Sequence, residues 1–220
     1  PRTLGADSGA RKVYVANHTG NSVSIIDTVT NSVLATVPVG NGPRSPVANS
    51  GLGKVYVPNY NDASVSVIDT VTRTVTKTIP VGSGPQYAAV DAAHDKVYVN
   101  NVADRTISVI DSATDSVIKT LPSGAGSDDN FGIVNHAYGR YYLANSVDNT
   151  VTIVDTDTST SPSLTSPARE LLLLDAWLSF TVELVTEILL AAHTPACRVA
   201  EAVLYPTVDS SMVIGPPDRR

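Results

Sequence analysis

A repeat of 42 to 44 residues occurs four times within residues 1–165 of this 220-residue chain. It shows in three columns of residues spaced 42, 42 and 44 apart: Tyr14, Tyr56, Tyr98 and Tyr142; Asn17, Asn59, Asn101 and Asn145; Asp27, Asp69, Asp111 and Asp155. In repeat proteins of this kind, each unit is one supersecondary structure that buries its apolar faces against its neighbours. The repeat therefore constrains the fold more than any other feature of the chain.

Each unit contains short segments rich in Val, Ile, Thr and Tyr, the residue types that favour β-strands. The pattern predicts a first, weak strand at 2–6, 45–48, 86–90 and 131–134, and a second at 12–15, 54–57, 96–99 and 140–143. It predicts a third strand at 23–26, 65–68, 107–110 and 151–154, and a fourth at 33–37, 75–79 and 117–121, with no good counterpart in the last unit. Four short strands in a repeat of this length are typical of a β-propeller blade.

We therefore predict an all-β fold, a β-propeller of about four four-stranded blades, and leave open whether this set of blades is complete. The blades are expected at about 1–40, 41–82, 83–124 and 125–160. An array of blades exposes an apolar sheet face at each end unless the array is closed or covered. Three arrangements stay open: a fragment of a larger propeller, closure through a homo-oligomer, and a compact four-bladed ring or arc covered by the C-terminal segment.

The strand motifs resemble YVTN-type β-propeller repeats. The resemblance lies in Tyr14-Val-Ala-Asn17, Tyr56-Val-Pro-Asn59, Tyr98-Val-Asn-Asn101 and Tyr142-Leu-Ala-Asn145, each followed by an Ile/Val-Asp-Thr/Ser motif, and it covers roughly residues 1–157. The third motif position, usually Thr in that family, is Ala, Pro, Asn and Ala here. Members of the family are similar seven-bladed proteins, mostly surface-exposed or periplasmic, in bacteria and archaea. The resemblance implies an extracellular, periplasmic or cell-surface interaction module, and the family has no single activity to carry over.

The composition changes near residue 165. All four glutamates lie after that residue, while the last lysine, Lys119, and the last asparagine, Asn149, lie before it. We place a domain boundary there and predict a helical segment at 166–220, with helices at about 167–192 and 195–204. The apolar stretch 171–192 is long enough to span a membrane, but its polar residues recur every four positions, and the three acids among them make a span costly. A helical hairpin lying on an apolar surface is the favoured interpretation, and an origin foreign to the propeller is a third.

Charge and side-chain chemistry narrow the functional classes. The net charge is −6 and no basic run occurs, so nucleic acid is not an expected partner. The histidines show no metal-ligand spacing, and no nucleophile motif or phosphate-binding loop appears. We predict no catalytic residues, no metal and no cofactor, and a non-catalytic binding or cell-surface module whose partner is a protein or a cell-envelope ligand.

In a propeller, the loops between strands two and three share one rim with the connections between blades. Binding residues tend to lie on loops held by a rigid scaffold. The sequence places these candidate binding residues on that rim: His18, Arg44, Asn61, Asp62, Gln86, Tyr87, Arg105, Asp128, Asp129, Asn130 and Asp148. Two alternatives stay open: a propeller enzyme of the lactonase or lyase type with a site at the central channel, and a membrane-tethered surface protein anchored by 171–192.

Overall fold

The computed structural model describes residues 1–125 and 131–160, and these residues form antiparallel β-sheets. Sheet 1 contains β1 (Thr3–Asp7), β2 (Lys12–Asn17), β3 (Ser22–Asp27) and β4 (Ser32–Pro38). Sheet 2 contains β5 (Val47–Asn49), β6 (Lys54–Asn59), β7 (Ser64–Asp69) and β8 (Thr74–Pro80). Sheet 3 contains β9 (Pro85–Asp91), β10 (Lys96–Asn101), β11 (Thr106–Asp111) and β12 (Ser116–Pro122), and sheet 4 contains β13 (Gly132–Asn135), β14 (Arg140–Asn145) and β15 (Thr150–Asp155).

In every sheet the strands pair in sequence order. The four units predicted from the repeat are therefore four separate sheets, and the described part of the last unit has three strands, as the sequence pattern indicates. The predicted helices at 167–192 and 195–204, the stretch 171–192 and the proposed domain boundary all lie outside the described residues. The part of the chain that the structure describes contains no helix long and apolar enough to cross a membrane.

The hairpins share one turn design, in which the residue just before the next strand has a positive φ. Such left-handed residues close hairpin loops that are built around a type I turn. They are listed by loop: Arg11, Gly53, Asp95 and Gly139; Asn21, Ala63, Arg105 and Asn149; Asn31, Arg73, Asp115 and Ser159. These loops are therefore closed in the same way in all four units.

Each sheet has two different apolar faces, because successive residues of a strand point to opposite sides. One face carries the repeated tyrosine, and we call it the tyrosine face. The other carries the two apolar residues that flank this tyrosine, such as Val55 and Val57, and we call it the valine face. The tyrosine face of sheet 1, with Tyr14 and Ile25, shares one core with Val55 and Val57 of sheet 2.

The same contact occurs twice more along the chain. Tyr56 and Val67 of sheet 2 share a core with residues that include Val97 of sheet 3. Tyr98 of sheet 3 then packs with Tyr141 of sheet 4, and their stacked rings lie 4.8 Å apart. The repeated tyrosines of sheets 1, 2 and 3 therefore pack between neighbouring sheets.

The valine face of sheet 1 has no such cover among the described residues. Leu4 and Val33 on this face are 66% and 62% exposed, whereas Val55 and Val57 of sheet 2 are fully buried. Val13 and Val15 are half-buried. The valine faces of sheets 2, 3 and 4 are thus buried at junctions between sheets, whereas that of sheet 1 is largely exposed.

The sheets stack in sequence order with the same edge aligned. The first strands contact one another in series, β1 with β5, β5 with β9 and β9 with β13, and the fourth strands β4, β8 and β12 also contact in series. This arrangement creates two rims. The first rim carries the loops between second and third strands and the connections between sheets, and the second rim carries the remaining hairpin loops.

Candidate functional site

Arginine and aromatic side chains meet on the first rim. The guanidinium carbon of Arg44 lies 3.8 Å from the centre of the Tyr60 ring, which is a cation–π contact. Arg44 is only 4% exposed, whereas Tyr60 is half-buried. Arg44 comes from the connection that enters sheet 2, and Tyr60 directly follows β6, so the two side chains join two loops of the same sheet.

The aromatic surface continues across the neighbouring sheets. A Cβ on Gly84 would lie 3.4 Å from the Tyr60 ring, so the connection into sheet 3 passes directly over that ring. Three residues later, Tyr87 meets Phe131 of the next connection with ring centres 5.5 Å apart in an edge-to-face arrangement. Phe131 is 49% exposed.

His18 of sheet 1 lies at the other end of this surface. The connection between sheets 1 and 2 crosses it at Gly42, where φ is +67° and a Cβ would come within 3.0 Å of the imidazole Cε1. We use the term first-rim band for this series of side chains, which consists of His18, Arg44, Tyr60, Tyr87 and Phe131. The band draws on all four sheets, and the sequence analysis missed Tyr60 and Phe131.

The predicted binding residues Asp62 and Asp148 have a structural role on this rim. The carboxylate of Asp62 accepts a hydrogen bond from the backbone amide of Asn41, at 2.5 Å, and Asp148 accepts one from Ala125 at the same distance. Asp104 does the same for Ser83, at 2.7 Å. Asn61 supports the first of these connections, because its amide donates to the side chain of Asn41. These residues hold the connections between sheets in place.

The remaining predicted rim residues fall into three groups. Arg105 is an exposed left-handed turn residue whose carbonyl accepts a hydrogen bond from Ser123. Gln86 lies next to Tyr87 on β9 and is 2% exposed, so its side chain offers a ligand almost no surface. Asp128, Asp129 and Asn130 lie outside the described residues.

The asparagine column supports the first rim inside each sheet. The side-chain amide of Asn59 donates to Ser64 and Ser66 of the adjacent strand, and Asn101 and Asn145 make the equivalent pairs of bonds in sheets 3 and 4. The asparagine therefore fixes the end of each second strand where the rim begins.

A second group of polar residues, on the second rim, was not predicted. The imidazole of His94 lies between Asp91 and Asp157, with its Nδ1 2.7 Å from Asp91 and its Nε2 2.8 Å from Asp157. His136 lies 3.3 Å from the other oxygen of Asp91. Burial raises the pKa of Asp91, but the hydrogen bond and charge of His94, with help from Thr156 and His136, hold it below its usual value. His94 and His136 occupy different positions in their repeats, so the repeat gives no signal for this group.

Lysines tie neighbouring sheets together on the same rim. Lys12 donates to the carbonyl of Thr70 at 3.0 Å, and Lys54 donates to that of Ser112 at 2.8 Å. Lys96 makes the equivalent bond to Thr156. Within residues 1–125 and 131–160, no three His, Cys, Asp or Glu side chains are arranged to hold a metal ion.

A comparison with solved structures supports the fold described above. A solved structure of hydrazine synthase from Kuenenia stuttgartiensis, a β-propeller-containing protein, is similar to this chain with a TM-score of 0.65 and 20% sequence identity. The fold is β-propeller-like. The likeness covers 73% of this chain and 47% of the other, so the chain spans about half the length of the structure it matches. No protein-family model and no curated protein matches the sequence.

Proposed function

We propose that this chain is a non-catalytic binding module of the YVTN propeller type, and that its ligand contacts the first-rim band. One observation carries the proposal: an arginine and aromatic side chains line the first rim on neighbouring sheets, in the contacts Arg44–Tyr60 and Tyr87–Phe131. Tyr, Phe and Arg are the residue types enriched at interfaces and at their energetic centres. The expected ligand is a protein or a cell-envelope component, and the expected location is extracellular, periplasmic or the cell surface.

The packing of the band supports recognition rather than a purely structural role for its outer members. Arg44 is buried against the Tyr60 ring, so it forms the base of the surface. Tyr60 and Tyr87 are half-buried and Phe131 is about half exposed, so each ring presents an edge or face to solvent. Rigid aromatic rings lose little conformational freedom when a ligand binds, which favours affinity.

Retention of the purified full chain on an immobilised envelope fraction from the source cells tests the proposal. The variant Y87A/F131A removes the exposed aromatic part of the band, and we expect its retention to fall at least tenfold. The matched control is V71S on the second rim, since Val71 is an exposed apolar residue outside the band. Equal retention of both variants and the wild type would show that the band is not the binding surface.

The main alternative is a propeller enzyme of the lactonase or lyase type with a site at the central channel. Metal-dependent hydrolases of this kind need several carboxylates that converge from different blades. Metal analysis of the purified chain together with a lactone-hydrolysis screen distinguishes the two functions. Stoichiometric bound cation together with lactone hydrolysis would favour the enzyme. The absence of both would favour the binding module.

We further propose that the chain forms a homo-oligomer in which the valine face of sheet 1 is covered by the same face of a second copy. The support is that the equivalent faces of sheets 2, 3 and 4 are all buried inside the chain. Sedimentation of the wild type and of the V15D variant tests this contact. A dimer that the substitution dissociates is the expected result, and a monomeric wild type would contradict it.

The remaining alternative is a surface protein tethered to the membrane through residues 171–192. It predicts that the chain needs detergent to stay in solution.

A further inference from the structure

Four titratable side chains from two neighbouring sheets meet at the second rim, away from the first-rim band. Asp91 ends β9 and His94 lies in the turn that follows it, both in sheet 3. His136 lies in the turn after β13 and Asp157 in the turn after β15, both in sheet 4. The group therefore spans the junction between these sheets.

Both ring nitrogens of His94 face a carboxylate. Its two ring nitrogens lie 2.7 Å from Asp91 and 2.8 Å from Asp157, and both partners are carboxylates. An ionised carboxylate only accepts hydrogen bonds, and a neutral imidazole has a single N–H. Only the imidazolium form of His94 can donate to both carboxylates at once.

Asp91 is the buried anchor of the group. Its side chain is fully buried, whereas that of His94 is 31% exposed and that of Asp157 is 68% exposed. His136 approaches the second oxygen of Asp91 at 3.3 Å, so the buried carboxylate lies between two imidazoles from different sheets. We propose that Asp91, His94, His136 and Asp157 form a pH-dependent clamp that holds sheet 4 against sheet 3.

The other charged groups around the clamp are of types that keep their charge where histidine titrates. Lys96 donates to the backbone carbonyls of Thr156 and Asp157, and Arg140 pairs with Asp155. Asp95 lies exposed in the turn after His94. Burial, together with the charges of Asp91, Asp155 and Asp157, raises the pKa of Tyr98 beneath the clamp. Unlike lysine, arginine, aspartate and tyrosine, histidine ordinarily changes charge between about pH 5 and 8.

The clamp is strongest in mildly acidic solution. A neutral imidazole has a single N–H and can donate to only one carboxylate, so at higher pH the contact with the exposed Asp157 is the one that is given up. When the pH falls far below that range, Asp91 takes up a proton. Because the pKa of Asp91 is lowered in the folded chain, its contribution is complete above its ordinary value and is lost only as the pH falls through the lowered value.

The junction between sheets 2 and 3 provides an internal comparison. At the position of Asp91 it has Asn49, whose amide lies 3.5 Å from Ser112, and its charged pair is Lys54 with Asp115 at 2.9 Å. Among the described residues of that junction, no histidine contacts this pair. The strength of the Lys54–Asp115 contact should therefore not change between pH 5.5 and 8.

A double-mutant cycle on the full chain tests the clamp. The variants H94Q, D157N and the double variant are unfolded with urea at pH 5.5 and at pH 8, and the coupling between the two sites is compared. We expect the coupling to change the unfolding equilibrium constant about tenfold at pH 5.5 and less than about twofold at pH 8. The matched cycle of K54M with D115N is expected to give the same coupling at both values. Equal coupling of His94 and Asp157 at the two pH values would overturn the proposal.

A second measurement needs no variant. Nitrogen-15 NMR of the histidine rings in the wild-type chain reports whether each ring nitrogen carries a proton. Two protonated nitrogens on His94 at pH 5.5, with loss of one at pH 8, are the expected result. A neutral His94 ring at pH 5.5 would overturn the clamp even if the variants failed to fold.

Discussion

Gly40 lies directly against the side chain of Asn59 in the next sheet. A Cβ on Gly40 would come within 2.6 Å of the amide carbon of Asn59, a distance that no ordinary packing allows. Gly82 faces Asn101 and Gly124 faces Asn145 in the same way. In the first three units, the glycine two residues after the last residue of the fourth strand and the asparagine of the following unit are therefore two halves of one contact.

We expect Gly40→Ala to lower the free energy of unfolding by about 1–3 kcal/mol, since the added methyl group overpacks this junction. Urea unfolding of the full chain measures the change. Gly51→Ala is the control, because the nearest atom to a Cβ there, Asn49 Oδ1, is at an ordinary 3.6 Å. Equal losses for the two variants would mean that the contact with Asn59 is not the cause.

The Tyr→Phe substitution should have different effects at Tyr56 and at Tyr14, because their hydroxyls differ in hydrogen bonding. Tyr56 donates to Asp115 at 2.7 Å, and Tyr56→Phe leaves that half-buried carboxylate without this donor. We expect a loss of about 1–3 kcal/mol in the free energy of unfolding.

The hydroxyl of Tyr14 is buried and finds no hydrogen-bond partner within the described chain. Burial, followed by the charge of Asp7, raises its pKa to about 12. Tyr14→Phe should therefore cost less than about 0.5 kcal/mol or stabilise the chain, and a large loss would contradict this.

Acid should weaken the hairpins of the aspartate column. The backbone amides of Thr72 and Val71 and the hydroxyl of Thr72 donate to Asp69 and lower its pKa. A group whose pKa is lower in the folded chain contributes fully above its ordinary value, and that contribution is lost as the pH falls through the lowered value. The free energy of unfolding, measured from about pH 6 to pH 2, should fall less steeply for Asp69→Asn than for the wild type. An unchanged slope would show that Asp69 is not part of the acid response.

Ala63 occupies a backbone conformation that suits asparagine better. Its φ is +47°, and the equivalent residues in sheets 1 and 4 are Asn21 and Asn149. Alanine pays a steric cost in the left-handed region that asparagine largely avoids. We expect Ala63→Asn to raise the free energy of unfolding by about 0.5–1 kcal/mol. The control is Ala113→Asn in another exposed turn, which lacks a positive φ and should give no gain.

The strands could be predicted from the sequence because their signal is local and repeated. The β-branched residues place the second and third strands of each unit within two residues of their observed ends. The observed strands are longer because polar ends, such as Asn17 and Asp27, also pair in the ladder. The first strands are less regular, since the short β5 pairs over three residues only.

The rim and the clamp were harder to predict, because their contacts join residues from different units. Asp62 is a residue type common in binding sites, but in the structure its carboxylate accepts a hydrogen bond from the backbone amide of Asn41. His94 and Asp157 are 63 residues apart in the sequence and meet only when sheets 3 and 4 stack. Tyr60 directly follows Asn59 of the asparagine column, and only the path of the connection that enters sheet 2 reveals that Arg44 covers the ring.

The tyrosine-on-valine contact gives the stack a direction, much as a polymer has two distinguishable ends. Within the chain, successive units stack in one orientation, because each of the three junctions places a tyrosine face against a valine face. The junction chemistry is nearly the same at each step, so one unit could be duplicated or deleted in the gene without a new interface having to evolve. The number of units can thus change in whole steps while each remaining junction keeps its fit.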